Sequence, residues 1–530
     1  MANYDSSHTG AVIDAAVTSV VAVDPVTTAT SNLGLGSTAL DSLSATNGNY
    51  NVAVGVNAAT ALTTGDDNIA VGYAALDAMV TGERNIAIGS DALGGMTDTG
   101  GSCDDNIAIG NDALLVAGAS SNVSHSNISI GSDAGKALST GDENVFIGKG
   151  AGVTTTDVDG AVIIGQGAGA ADMTSGADGT IAIGYAAGAA LTTSAGNTII
   201  GYQAADAIDA KADDNIIIGA GAAGALDLGS GDSAFDKNIA IGIDALKGED
   251  WGSTAKSQNR NIAIGYHAMD QVGICTAVDN IFIGYNAGGG DWNTTESNYN
   301  VGIGSGVMDA VMDGALGNVS VGYSSAGGIT SGDSNTCVGY GAGFNITTGG
   351  ANTCIGVEAG QAVSPSGSIT TANDTICFGN TNVSAVYVET DAWTTSDIRD
   401  KADVADFNGG LDWINAMQPI SYVWDKRAWY CEKSEDEDED GNPISITPQD
   451  ILDAEPDGTH KKSSVEVGFS AQAILELEQS LGYGSSNDTS LLVDLTHDGT
   501  KYSLKRSHMI PMMVNAIKEL SAKVEALENE

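Results

Sequence analysis

The dominant pattern along this chain is a short alternation that keeps returning: Asn, aliphatic, small, aliphatic, Gly, two variable residues, Ala. It reads Asn51-Val-Ala-Val-Gly55, Asn68-Ile-Ala-Val-Gly72, Asn261-Ile-Ala-Ile-Gly265 and Asn352-Thr-Cys-Ile-Gly356. Nineteen units, ending on Gly36 through Gly379, follow at spacings of 17 to 23 residues. Asn opens sixteen of them, with Ala161, Thr180 and Thr375 in the other three. Period-2 alternation over so few residues predicts a short strand, large aliphatics on one face and small residues on the other. Gly after the strand lets the chain turn through positive φ, and segments such as Thr63-Thr-Gly-Asp-Asp-Asn68 are turn chemistry.

A single unit cannot bury its apolar face, whereas stacked units can. The pattern therefore predicts a mainly β protein, a parallel β-roll or β-solenoid. Its coils pack inward on themselves and outward against another chain. Asn at the same place in successive coils predicts a side-chain amide ladder. Proline would delete ladder donors, and none occurs between Pro25 and Pro365. At ~4.8 Å per coil, nineteen coils predict a rod of roughly 90 Å.

Composition narrows the classes. The 530 residues hold 71 Gly without a collagen period, and 42% are apolar, which excludes a disordered chain. A net charge of −48 argues against nucleic acid and against an anionic membrane surface. No stretch is apolar enough to predict membrane insertion, and the start of the chain lacks the pattern of a signal peptide. Residues 1–395 hold 8 bases and 41 acids, while 396–530 hold 12 and 27. The shift marks three regions: 1–31, a repetitive 32–390, and 391–530.

The repeats also carry residues with chemical potential. Aspartates recur just before the Asn, as at Asp66, Asp67, Asp104, Asp105, Asp213, Asp214 and Asp279. They read as solvated turns or, alternatively, as Ca2+ ligands; no other cofactor and no metal set is expected. The six cysteines lack zinc spacing. Cys337, Cys354 and Cys377 each lie two residues before their Gly, so they should stack as small buried thiols or, alternatively, as a soft-metal ladder. Trp251, His267 and Trp292 add bulk in the longer repeats, for sugar stacking or for packing.

The repeat resembles those of YadA-type trimeric adhesin heads and, more closely, the Asn-Thr-Ala-Ile-Gly-Tyr-x-Ala-Gly repeats of phage tail fibres, over about residues 32–382. That resemblance implies a homotrimer. The segment His8-Thr-Gly-Ala-x-Ile13-Asp14-Ala15-Ala16-Val17 looks like one near the start of phage fibre proteins. It implies virion attachment or a trimer start within 1–31.

A second resemblance covers about residues 394–528. Thr394-Thr-Ser396-Asp397-Ile-Arg399-Asp-Lys401, Leu411-Asp-Trp-Ile414, Met417-Gln-Pro419-Ile-Ser-Tyr422-Val-Trp424, Val467-Gly468-Phe469-Ser-Ala471-Gln472 and Ile510-Pro-Met-Met-Val-Asn-Ala516 follow in order. This order is similar to the endosialidase-type intramolecular chaperone, a small α+β module that self-cleaves and trimerises phage fibres. Ala473 departs from it where the family often has an acid, and the acidic run Glu435 to Asp440 reads as an inserted loop. The resemblance implies cleavage of the Thr395–Ser396 bond. Ser396 as nucleophile with a desolvated Lys401 as base is chemically coherent, with Asp397 and Arg399 orienting the peptide or the oxyanion. Such a device acts once per chain, and no turnover enzyme is expected.

The chain closes on Ile510, Met513, Ile517, Leu520, Val524 and Leu527, an a/d seam that predicts a coiled-coil helix. Glu519 and Lys523 are spaced as an i,i+4 ion pair. Together these readings lead to a homotrimeric tail fibre of a phage virion, folded in the host cytoplasm. Its expected partners are itself, a virion tail or baseplate protein, and a host cell-surface glycan or protein receptor. A bacterial trimeric adhesin and a glycan-degrading tailspike are the alternatives.

Overall fold

A computed structural model describes residues 31–529 except 45–46, 98–102, 116–123, 227, 229–233, 249–255, 274, 293–294, 384–401, 432–445, 485–489 and 496–500. The segment 1–31, apart from Ser31, and the residues Ser396, Asp397, Arg399 and Lys401 thus lie outside the described residues, as does the acidic run from Glu435 to Asp440. The chain falls into two compact units, Met1–Gly317 and Asn318–Glu530.

In the first unit, fifteen three-residue strands recur from Leu33–Leu35 to Val301–Ile303. Consecutive strands pair parallel and in register, so that Leu33 faces Val52 and Ile69 faces Ile86. The chain is a parallel β-solenoid. Differences in repeat length are absorbed in the turns, so the register of like positions survives. Two adjacent repeats add a second, two-residue pairing of Gln258–Asn259 with Ala277–Val278.

From the second strand on, the middle residue points into the coil and is buried, as at Ala53, Ala108 and Ala263; the flanking Ile and Val are half-buried or exposed. Where the middle residue is large, the neighbouring turns give up volume. Phe146 is fully buried between Gly135 and Gly152, and a Cβ on either would press on its ring. Phe282 sits likewise beside Gly288 and Gly302. Close packing requires this exchange, because an interior this thin has no slack.

The Gly that closes each strand is required twice over. Gly165 has φ +140°, and a Cβ there would run into the carbonyl oxygen of Gly184 one coil away. Two residues further on the chain is again left-handed, with Asn57, Asp91 and Asp112 among the residues there. Asn and Asp tolerate that region better than most side chains.

The amide ladder is present. Asn68 Nδ2 donates to Asn51 Oδ1 (3.1 Å), Asn85 to Asn68 (3.1 Å) and Asn106 to Asn85 (3.1 Å). Each Oδ1 also accepts the backbone N–H of the next Asn, and each Nδ2 finds a carbonyl in the next coil, as Asn68 does at Gly82 O (2.8 Å). A fully buried amide thus has all four hydrogen-bonding positions filled. Ala161 interrupts the ladder: its backbone N still reaches Asn144 Oδ1 (2.8 Å), but nothing is passed on.

In the second unit, four strands continue the same pattern: Val319–Val321, Thr336–Val338, Thr353–Ile355 and Ile376–Phe378, again parallel. A small α+β module follows. Helix α1 (Leu411–Ala416) precedes strand Ile420–Tyr422, which pairs antiparallel with Glu466–Gly468. Helix α2 (Pro448–Asp453) starts at a capping box of Thr447 and Asp450. Helix α3 (Ala471–Ser480) is capped by Ser470, and strand Val493–Leu495 pairs antiparallel with Tyr502–Leu504. Helix α4 spans Met509–Glu528.

The module core gathers Trp413, Met417, Ile474, Leu492, Val493, Met509 and Met512. Several separate sequence motifs therefore meet in one core. Glu478 is fully buried there, its carboxylate accepting Ser490 Oγ (2.6 Å) and the backbone N of Leu492. Glu519, spaced in sequence to pair with Lys523, instead accepts the Leu411 N–H at the start of α1 (3.2 Å).

Candidate interaction surfaces

Two faces carry apolar side chains that the chain itself leaves uncovered. The first is the outward face of the coils. Strand residues alternate, so burying the small middle residue forces its large neighbours outward. Ile69, Ile88, Ile130, Ile216 and Ile303 are exposed in the first unit, and Val319, Val338, Ile355 and Phe378 in the second. Tyrosines that directly follow the repeating Gly extend the surface. Tyr185 stacks on Tyr202 (5.2 Å between ring centres), Tyr266 on Tyr285 (5.5 Å) and Tyr323 on Tyr340 (5.3 Å). The repeated Gly-Tyr pair was the sequence signal for this aromatic file, which strand alternation alone does not find.

The second face is on α4. Met509, Met512 and Ala516 turn into the module, and the neighbouring side carries Ile510, Met513, Ile517, Leu520, Val524 and Leu527, all exposed. Ile517 is 68% and Leu527 72% exposed, far above an ordinary core-facing stripe. Val514 is exposed beside them, and the heptad reading omitted it. The seam is thus a continuous apolar strip on a 20-residue helix.

The recurrent aspartates have a specific task. Asp104 Oδ1 accepts the backbone N–H of Glu83 (2.8 Å), Asp142 that of His125 (2.8 Å), and Asp213 that of Ala195 (2.9 Å). Two residues before Asn106, Asn144 and Asn215, a carboxylate therefore reaches back one coil. Asp67, Asp105, Asp214 and Asp279 take the following, left-handed position. Arg84 reaches Asp105 (2.7 Å) and Arg260 reaches Asp279 (2.6 Å), which hold both carboxyls below the usual range. Among the described residues no group of three or more His, Cys, Asp or Glu is arranged to hold a metal ion.

Cys337, Cys354 and Cys377 stack in register in the coil interior as free thiols. The Cys354 contact and burial push the Cys337 thiol up. Trp292 is a core residue, not a sugar platform: it is 1% exposed, packs edge-on against Phe282, and donates from Nε1 to Gly288 O (2.9 Å). Trp251 lies outside the described residues. His267 bridges two carboxylates, Asp270 at Nδ1 and Asp244 at Nε2 (3.7 Å). Asp270 is buried, and that burial pushes its carboxyl up.

These features define the class: a parallel β-solenoid repeat protein that carries a small C-terminal α+β module. No helix among the described residues is long and apolar enough to cross a membrane. No family model matches the chain, and no curated protein or solved structure does.

Proposed function

We propose that this protein is the subunit of a homotrimeric phage tail fibre, in which the solenoid extends from the virion and the C-terminal module brings three chains into register. One observation carries the reading: solenoid and module each leave an apolar face uncovered, on the coils and along α4. Both faces suit copies of the same chain. Identical in-register stripes are self-complementary, and an a/d seam on a short helix is stable only when shared. The sequence resemblance supplies the number three, the virion and the host receptor, whether glycan or protein. It also supplies a single self-cleavage before Ser396, with Ser396 as nucleophile, Lys401 as base, and Asp397 and Arg399 as orienting groups.

Sedimentation equilibrium tests the association. The expected mass is three times the 53.3 kDa chain for full-length protein. Ile517→Asp with Leu520→Asp should shift it toward monomer while the far-ultraviolet spectrum stays unchanged. A wild-type monomer at micromolar concentration rejects the reading. Mass spectrometry of assembled protein tests cleavage, and an intact 53.3 kDa chain as the only species refutes it. Antibody labelling of particles tests the placement on the virion.

A further inference from the structure

We infer that a cavity within the second unit, between its last coils and residues 428–431, 446 and 460–462 of the module, binds an anionic sugar: a saccharide unit that carries a carboxylate. Glu358, Asn380 and Asn382 line the cavity from the coils, and Trp429, His460 and Lys462 from the module. Its volume is about 470 Å³. That is far more than an inorganic ion fills and falls in the size range of small-molecule pockets.

The charge placement is the anomaly. The chain has 68 acids and 20 bases, yet two of its lysines flank one indole here, and neither forms an ion pair among the described residues. Lys426 Nζ lies 5.4 Å and Lys462 Nζ 5.6 Å from the Trp429 ring centre, and Lys426 is 5.2 Å from that of Trp424. Lys426 spends one donor on Thr381 O (2.8 Å). Burial and the neighbouring Lys462 push its ammonium below the ordinary range, with Glu466 opposing. The indole Nε1–H of Trp429 is itself buried and has no acceptor among the described residues. Two ammonium groups that form no ion pair among the described residues and a buried N–H meet around one ring, and a carboxylate is a group that can satisfy both.

Residues 424–430 and 458–462 are tied to each other. Tyr430 Oη accepts the N–H groups of Gly458 (3.0 Å) and His460 (3.2 Å) and donates to Asp425 (2.6 Å). The backbone N of Lys462 donates to Trp424 O (2.9 Å). The other side of the cavity selects for hydroxyls. The carboxylate of Glu358, which also accepts Asn380 Nδ2 (2.9 Å), and the amide of Asn382 offer both acceptors and a donor. A buried carboxylate in the same cavity also disfavours a dianionic phosphate more than a singly charged sugar acid, which meets Lys462 at one end and the amides at the other.

Calorimetric titration of the full-length Ser396→Ala chain, which the proposed self-cleavage leaves intact, with glucuronate, glucose and inorganic phosphate tests the assignment. Saturable binding of glucuronate is expected, with glucose and phosphate each at least about tenfold weaker. Lys462→Met and Trp429→Phe, the second keeping the ring while removing the N–H, should each weaken glucuronate by about tenfold or more. Asn382→Ala serves as a third variant should Lys462→Met lower the melting temperature. No saturable binding of glucuronate, equal binding by the Trp429→Phe chain, or phosphate binding as tightly as glucuronate would overturn the assignment.

Discussion

The repeating asparagine does its work through hydrogen bonds that no local reading of the chain contains. Asn238 Oδ1 accepts both the backbone N (2.9 Å) and Nδ2 (3.2 Å) of Asn261, and Asn238 Nδ2 donates to Gln258 O (2.8 Å). Asn238→Ala strands two buried donors and one acceptor at once. The expected cost is about 2–4 kcal/mol, read as a lower denaturation midpoint and faster amide exchange at Asn261. The ladder was legible because Asn recurs at a fixed place in the repeat. The aspartate file two residues earlier was not: each carboxylate's partner is a backbone N–H a whole coil back, so turn or calcium chemistry explained the same letters. Asp77 shows the opposite balance. Burial, then Asp91, raises its carboxyl above the ordinary value of 3.8. The folded chain therefore holds that proton where the unfolded chain has released it, and stability falls as pH rises from about 3.8 through the folded value. Asp77→Asn should raise the melting temperature at pH 7 and leave it unchanged near pH 3. An equal effect at both would show that the charge is not the cause.

At the scale of elements, the coil was readable because three demands coincide in a few letters: an inward small residue, an outward large pair, and a Gly that turns the chain. The paired glycines separate backbone shape from space. Gly165 is left-handed and faces the Gly184 carbonyl, whereas Gly167, at φ +67°, has open space where a Cβ would sit. Gly167→Ala should cost only about 1 kcal/mol, the penalty of the left-handed region. Gly165→Ala must also push two coils apart, and should lower the melting temperature severalfold more or abolish soluble protein. Equal effects would mean that close approach of coils is unimportant. The extra pairing of Gln258–Asn259 with Ala277–Val278 was not legible, since two residues carry no period. Trp292 misled for a related reason. A long repeat supplies the bulk, but only the fold shows that Phe282 beside Gly288 and Gly302 leaves a cavity for it. The lysine–indole cluster was equally hidden, because residues 358–382 and 426–462 meet only in the folded unit.

At the scale of the whole molecule, the repeats set a problem of register. Stability in such an array is close to a sum over coils and their neighbours, so one coil looks much like the next. In the proposed trimer the outward stripe would have the same defect: three identical chains pressed together match almost as well when one is shifted by a coil. A seam at one end, Ile510 to Leu527, would remove the ambiguity, because aligning it fixes every coil at once and raises the local concentration of the rest. Deleting residues 396–530 should therefore leave a chain with its sticky face intact and its alignment lost, and the expected outcome is insoluble or polydisperse material. Replacing the deleted part with an unrelated parallel three-stranded coiled coil separates the two roles that the module could play. If alignment is its contribution, the fusion recovers a soluble species of three chains with the β-rich circular dichroism of the solenoid. If the fusion aggregates like the truncation, the module must assist folding by contacts with the coils, of the kind Ile451 makes with Ala362 and Val363. A truncated chain that is already a soluble, uniform trimer would remove the chaperone role altogether.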